Sequence, residues 1–180
     1  MKRIVLLLFA LFFVAGLIYP REIRLLIIGN SFADDAVEHY LHGLAPAEGD
    51  TIIIGDMNIY GCSLATHCKN AQRDASAYSY RKIVGGVKRV TPYYKLSDAL
   101  ADDVWTYSPF SRSARLQGLY DTYFPYLSYL SYLIYYVKEH ALKLYVALIL
   151  HATWSYAGDP NHAGFSRYNN DYEAHLLRKP

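Results

Sequence analysis

Residues Leu25 to Leu41 read LLIIGNSFADDAVEHYL, and the change of period inside this stretch decides the fold class. Leu25-Leu-Ile-Ile28 is a short apolar run suited to a buried strand, and it stops at Gly29-Asn30-Ser31. From there apolar residues recur at Phe32, Ala36, Val37, Tyr40, Leu41 and Leu44, which is helical spacing, and Pro46 with Gly49 closes the helix. Thr51-Ile-Ile-Ile-Gly55 begins a second β-type run that continues through Met57-Asn-Ile-Tyr60. Strand, helix and strand in such close succession predict a βαβ unit, hence an α/β domain built on a parallel sheet.

Upstream, Met-Lys-Arg precedes the apolar segment Ile4 to Tyr19, with small residues at Val14-Ala-Gly16. A positive start, an apolar core and a small-residue site form the layout of a secretory signal peptide, with an uncleaved N-terminal anchor as the alternative. Residues 1–20 are read as that segment and residues 21–180 as one domain, which the 53% hydrophobic content of the 180-residue chain can supply with a core. Secretion, or residence in the periplasm or cell envelope, is the expected localisation, with membrane contact only through the N-terminal segment. The net charge is +2 and the basic residues are scattered, so the chain carries no electrostatic footprint for nucleic acid.

Downstream, Arg81 to Val90 reads as a hairpin turning on Gly85-Gly86, an insertion at the surface. Ser97 is placed as the cap of a short acidic helix, Asp98 to Asp103, and Val104 to Phe110 as a third strand in which Pro109 has to lie at the end. Tyr120 to His140 carries Tyr123, Tyr126, Leu127, Leu130, Leu133, Ile134 and Val137 on one helical face, with further tyrosines on the flanks. Those tyrosines are read as spanning the core boundary of a helix packed on the sheet, rather than as an aromatic platform for a sugar. Leu142 to Leu150 is the last strand, ending at His151, and a polar, aromatic loop leads into a short final helix.

Ser31 follows the first strand, at the edge where open parallel sheets bind ligands. The helix that starts there offers unpaired N–H groups and a positive dipole end, both favourable to an anionic intermediate. Ser31 or Asn30 could equally be a simple N-cap, and a serine hydroxyl becomes a good nucleophile only when a base takes its proton. Cys62 and Cys68 could oxidise in an exported protein, but their spacing points the side chains apart on a helix. Cys62, His67 and Cys68 lack a fourth ligand at standard spacing, so they are not read as a metal site; no metal and no cofactor is expected for this chain.

Gly29-Asn30-Ser31-Phe32 after a Leu/Ile run resembles the first block of the SGNH, or GDSL-type, hydrolases. The likeness extends in order through Ile59-Tyr-Gly-Cys-Ser-Leu64, Ala77-Tyr-Ser-Tyr-Arg-Lys82, Leu96-Ser-Asp-Ala-Leu100, Thr153-Trp-Ser-Tyr-Ala157 and Gly164-Phe-Ser-Arg-Tyr-Asn-Asn-Asp171. It resembles a secreted bacterial branch of that superfamily catalogued as a domain of unknown function. The resemblance implies a three-layer α/β/α, flavodoxin-like fold with a mostly parallel sheet. It also implies a metal-independent serine esterase acting on acyl esters, small-molecule or carbohydrate, with Ser31 as nucleophile.

By the same resemblance the backbone N–H groups of Ser31 and Gly61 form the oxyanion hole. Where the related branch carries amide side chains after the third strand, this chain has Ser111-Arg112-Ser113, so either Arg112 donates in their place or the hole is impaired. Asp159-Pro-Asn-His162 matches the superfamily's Asp-x-x-His block, which would make His162 the base and Asp159 its orienting partner. That block follows the last strand in the superfamily, so the alternative is a pair in a C-terminal part that this chain lacks. His151, at a strand end, is a lesser candidate base. A non-catalytic carbohydrate-binding or envelope protein on the same scaffold is the second functional expectation.

Overall fold

The computed structural model describes residues 20–111, 123–151 and 166. The N-terminal apolar segment, Arg112, Trp154, Asp159, His162 and the predicted final helix lie outside the described residues.

Strand β1 (Glu22–Gly29) and strand β2 (Thr51–Asn58) run parallel, paired from Glu22↔Thr51 to Gly29↔Asn58. Between them lies a continuous helical segment, α1, made of an α-turn at Ser31–Ala33, π-type turns at Asp34–Leu41 and an α-helical end at His42–Ala47. The predicted βαβ unit is thus present, and the helix ends at Ala47, between Pro46 in its last turn and Gly49 at φ +80.

Strands β3 (Tyr78–Val84) and β4 (Val87–Tyr94) form the hairpin on Gly85-Gly86, both at positive φ. It is not a detached insertion: β3 pairs antiparallel with β2 and extends the sheet. Strand β5 (Tyr107–Ser111) lies on the other side of β1, and strand β6 (Ala147–His151) beyond it, both parallel. Among the described residues the order is β4-β3-β2-β1-β5-β6, a six-stranded, mostly parallel sheet.

Three boundaries move from their predicted places. Pro109 sits within β5, opposite Ile149, rather than at its end. The last strand is confined to Ala147–His151. The short acidic helix, here α3, is Leu96–Ala101; α2, Leu64–Gln72, precedes it and has no counterpart in the sequence reading. Ser97 is no cap, since its hydroxyl donates to Asp74 at 2.6 Å.

Alternation along β1 divides the core between the two faces of the sheet. Leu25 and Ile27 face α1 with Val37, Ile52, Ile54 and Ile83. Leu26 and Ile28 face the opposite layer with Met57, Leu64, Leu100, Trp105 and Val137. Gly55 admits the Trp105 indole, since a Cβ there would stand 2.8 Å from it. Helix α4, Tyr123–His140, buries Leu133 and Val137, while Leu127 is exposed against expectation. Its Tyr129, Tyr132 and Tyr136 pack on the core and Tyr135 faces solvent, which is the boundary role predicted for them. The chain is therefore a three-layer α/β fold of flavodoxin-like type.

Candidate active site

The carboxyl ends of four strands lie in one row. Gly29 pairs with Asn58, Phe110 pairs with Ile28 so that Ser111 falls beside Gly29, and Ser111 pairs with His151. Gly29 is packed close in this row, since a Cβ on it would stand 3.0 Å from the Ala33 side chain and 3.5 Å from the Ser111 Cβ.

Ser31 is the first residue of α1, directly above this row, and is partly exposed. The cap is Asn30, whose Oδ1 accepts from the Phe32 N–H at 3.2 Å and whose carbonyl accepts from the Ala33 N–H at 2.8 Å. The same side chain donates through Nδ2 to the Cys62 carbonyl at 3.1 Å, tying the loop after β2 to the turn after β1. That loop is also held by the Ile59 N–H on the Gly29 carbonyl, 3.3 Å, and by the Cys62 N–H on the Ile59 carbonyl, 3.1 Å. Gly61 lies inside it at φ +65, a left-handed conformation that favours glycine, and a Cβ there would meet nothing.

Beneath the turn lies a polar network on the α1 face of the sheet. Asn58 donates through Nδ2 toward the Asn30 carbonyl at 3.1 Å, Asp34 at 2.8 Å and Asp56 at 2.9 Å. Asp56 and Arg81 are opposite partners on β2 and β3, and Arg81 binds Asp34 and, at 3.2 Å, Glu38. Lys88 pairs with the second oxygen of Glu38. Burial pushes the Asp56 carboxyl well above the usual carboxylate range, and the neighbouring Glu38 adds to this. Burial works to raise Glu38 as well, yet the adjacent Asp56 carboxyl with the Lys88 and Arg81 cations holds it below the usual range. Asp34, Glu38 and Asp56 are close enough to share a cation, and the Arg81 guanidinium stands on all three.

Behind the loop, His67 of α2 is fully buried, stacked on Tyr78 at 5.6 Å, with Nδ1 3.2 Å from its hydroxyl. Burial pushes this imidazole down to about 4, with a smaller opposing pull from the Gly29 backbone. Cys62 and Cys68 are buried free thiols, and burial raises Cys62 to about 11, which makes it a poor nucleophile. At the other end of the row His151 Nδ1 lies 3.3 Å from the buried Ser111 hydroxyl, and burial lowers its pKa.

The structure thus brings Ser31 and Gly61 to one edge of the sheet, with His151 at the end of the same row. Arg112, Asp159 and His162 lie outside the described residues. Asn58, Asp56 and Arg81 were not expected at the site; the only sequence signal for Asn58 is its place after an apolar strand, matching that of Asn30.

Residues 24–177 match a family model described as "Domain of unknown function (DUF4886)". No curated protein matches the chain. Among solved structures, a DUF4886 family protein from Bacteroides uniformis is 42% identical with a TM-score of 0.79, over 87% of this chain and 60% of that one. This chain therefore spans about 60% of that relative's length. A protein from Slackia heliotrinireducens, titled "a putative SGNH hydrolase", is 18% identical with a TM-score of 0.52, over 88% of this chain and 70% of that one, a likeness of fold. On the family match and the Bacteroides relative together, the chain belongs to the DUF4886 family.

Proposed function

We propose that the protein is an exported serine esterase of the SGNH type, acting on acyl esters that include O-acetyl groups on carbohydrate. One observation carries this reading: Ser31 opens helix α1 at the carboxyl end of an interior strand while Asn30 does the capping, so the serine hydroxyl is not committed to the helix backbone. In this reading Ser31 Oγ attacks the ester carbonyl and His162, oriented by Asp159, takes the hydroxyl proton. The developing oxyanion is met by the backbone N–H groups of Ser31 and Gly61 and by Arg112. Collapse expels the alcohol, which receives the proton from His162 and leaves an acyl-Ser31. Water, deprotonated by the same histidine, then releases the acid.

Hydrolysis of p-nitrophenyl acetate tests this. Ser31→Ala is expected to lower kcat by roughly a thousandfold or more, and His162→Ala by a similar factor. Full activity in Ser31→Ala contradicts the reading. Full activity in His162→Ala alone removes that residue from the triad. A second reading, a non-catalytic carbohydrate-binding or envelope protein, draws on Ser111, which is buried against His151 where the resemblance leads one to expect an amide donor. Folded protein with no hydrolysis of any acetyl ester supports that reading.

A further inference from the structure

Tyr60 precedes Gly61 in the loop after β2, and its environment inverts the usual arrangement of a tyrosine. Tyrosines at a surface ordinarily bury the ring and leave the hydroxyl in water. Here the residue is 69% exposed while its hydroxyl is turned into the protein, donating to Asp34 Oδ2 at 3.1 Å. The hydroxyl also accepts from Arg81 Nη2 at 3.4 Å, and the guanidinium carbon stands 5.7 Å from the ring centroid. Both anchors are themselves fixed. Asp34 is held by Asn58 and Arg81, and the Arg81 side chain is only 10% exposed. An exposed aromatic ring is therefore clamped at its hydroxyl by a part-buried ion cluster.

Asp34 also places this ring relative to Ser31, because it lies one helical turn after it on α1. The groups shown at the ring's edge, Asp34 and Arg81, are both charged, and Asp34 also lines a hollow with Glu38, His39, His42, Ile83, Gly86 and Lys88. A fixed aromatic face with charged groups at its edge suits a ligand with an apolar C–H face and a polar rim, which describes a pyranose. Resting on the esterase reading above, we propose that Tyr60 is the stacking shelf of the ester site and that its substrates are O-acylated carbohydrates.

The test compares the full-length protein with Tyr60→Ala and Tyr60→Phe on β-D-xylose tetra-acetate and on ethyl acetate, followed by acid release. Loss of the shelf removes binding shared by ground and transition states. Tyr60→Ala is then expected to raise KM for the sugar ester about tenfold with kcat unchanged, and to leave ethyl acetate hydrolysis as it was. Tyr60→Phe, which keeps the ring but not its clamp, falls between. An unchanged KM for the sugar ester, or an equal loss on both esters, overturns the proposal. A second arm is independent of turnover. Binding of β-D-xylose tetra-acetate to Ser31→Ala protein is measured by calorimetry with and without Tyr60→Ala. About tenfold weaker binding in the double variant supports the shelf, and equal binding, or none in either, overturns it. Hydrolysis that survives Ser31→Ala instead counts against the esterase reading, whatever the calorimetry shows.

Discussion

Asn58, the last residue of β2, donates its side-chain amide to the Asn30 carbonyl at the turn after β1, 3.1 Å away. The two asparagines lock the turn from both sides, since Asn30 in turn holds the Cys62 carbonyl at 3.1 Å. The Ser31 turn is therefore fixed by side chains from the neighbouring strand and loop as well as by its own helix.

Replacing Asn58 tests that lock. Asn58→Ala leaves the Asn30 carbonyl and the Asp34 and Asp56 oxygens short of a donor in a buried site, and is expected to cost about 2 kcal/mol. Asn58→Asp, which adds a carboxylate beside two others, should cost more. Urea denaturation of the three proteins gives the order, and equal midpoints would refute it.

Gly61→Ala forces a β-carbon into a left-handed conformation at φ +65 and is expected to cost about 1 kcal/mol, with no clash to relieve. The proposed oxyanion role adds a second effect, a fall of about a hundredfold in kcat on p-nitrophenyl acetate. Thermal melts read the first and steady-state kinetics the second. A destabilised variant with unaltered kcat would take Gly61 out of the oxyanion hole.

His67 makes stability depend on acid. Its folded pKa of about 4 lies below the unfolded value of 6.5, so between these the unfolded state binds more protons and stability rises with pH. The contribution is fully present above 6.5 and is lost as pH falls through about 4, with a span on the order of 3 kcal/mol. Chemical denaturation from pH 7.5 to 4 should show that slope in the wild type and a reduced one in His67→Phe. Parallel curves would contradict the assignment.

Asp56 works in the opposite direction. Its folded pKa is raised well above the ordinary carboxylate value, so its stabilisation is complete below the unfolded pKa and is lost as pH rises through the folded one. Asp56→Asn keeps a neutral side chain beside Glu38 and an acceptor for Asn58 at every pH. Its stability relative to wild type is expected to grow as pH rises, and a constant difference from pH 5 to 9 would show that Asp56 is ionised throughout.

The βαβ start was legible because Leu25 to Ile28 and Ile52 to Ile54 are aliphatic runs and the intervening apolar residues keep helical spacing. Helix α2 escaped notice because its buried face is Leu64, His67, Cys68 and Ala71, helically spaced but with only one large aliphatic residue. The hairpin was seen locally, whereas its attachment to the sheet depends on pairing between β2 and β3 that brings Arg81 opposite Asp56. Polar residues such as Asp56, Asn58 and Arg81 read as surface along the chain and become interior only when distant elements supply each other's partners. At the site, the serine turn was visible as a motif. That Asn30 rather than Ser31 supplies the cap required its hydrogen bonds.

The central claim is that Ser31 is a nucleophile, and a fluorophosphonate probe addresses it directly. Full-length protein incubated with the probe and digested should yield a single phosphonylated peptide with the adduct on Ser31, absent from Ser31→Ala protein of equal thermal stability. Folded wild-type protein that takes up no probe, or that carries the adduct on another residue, would contradict the account.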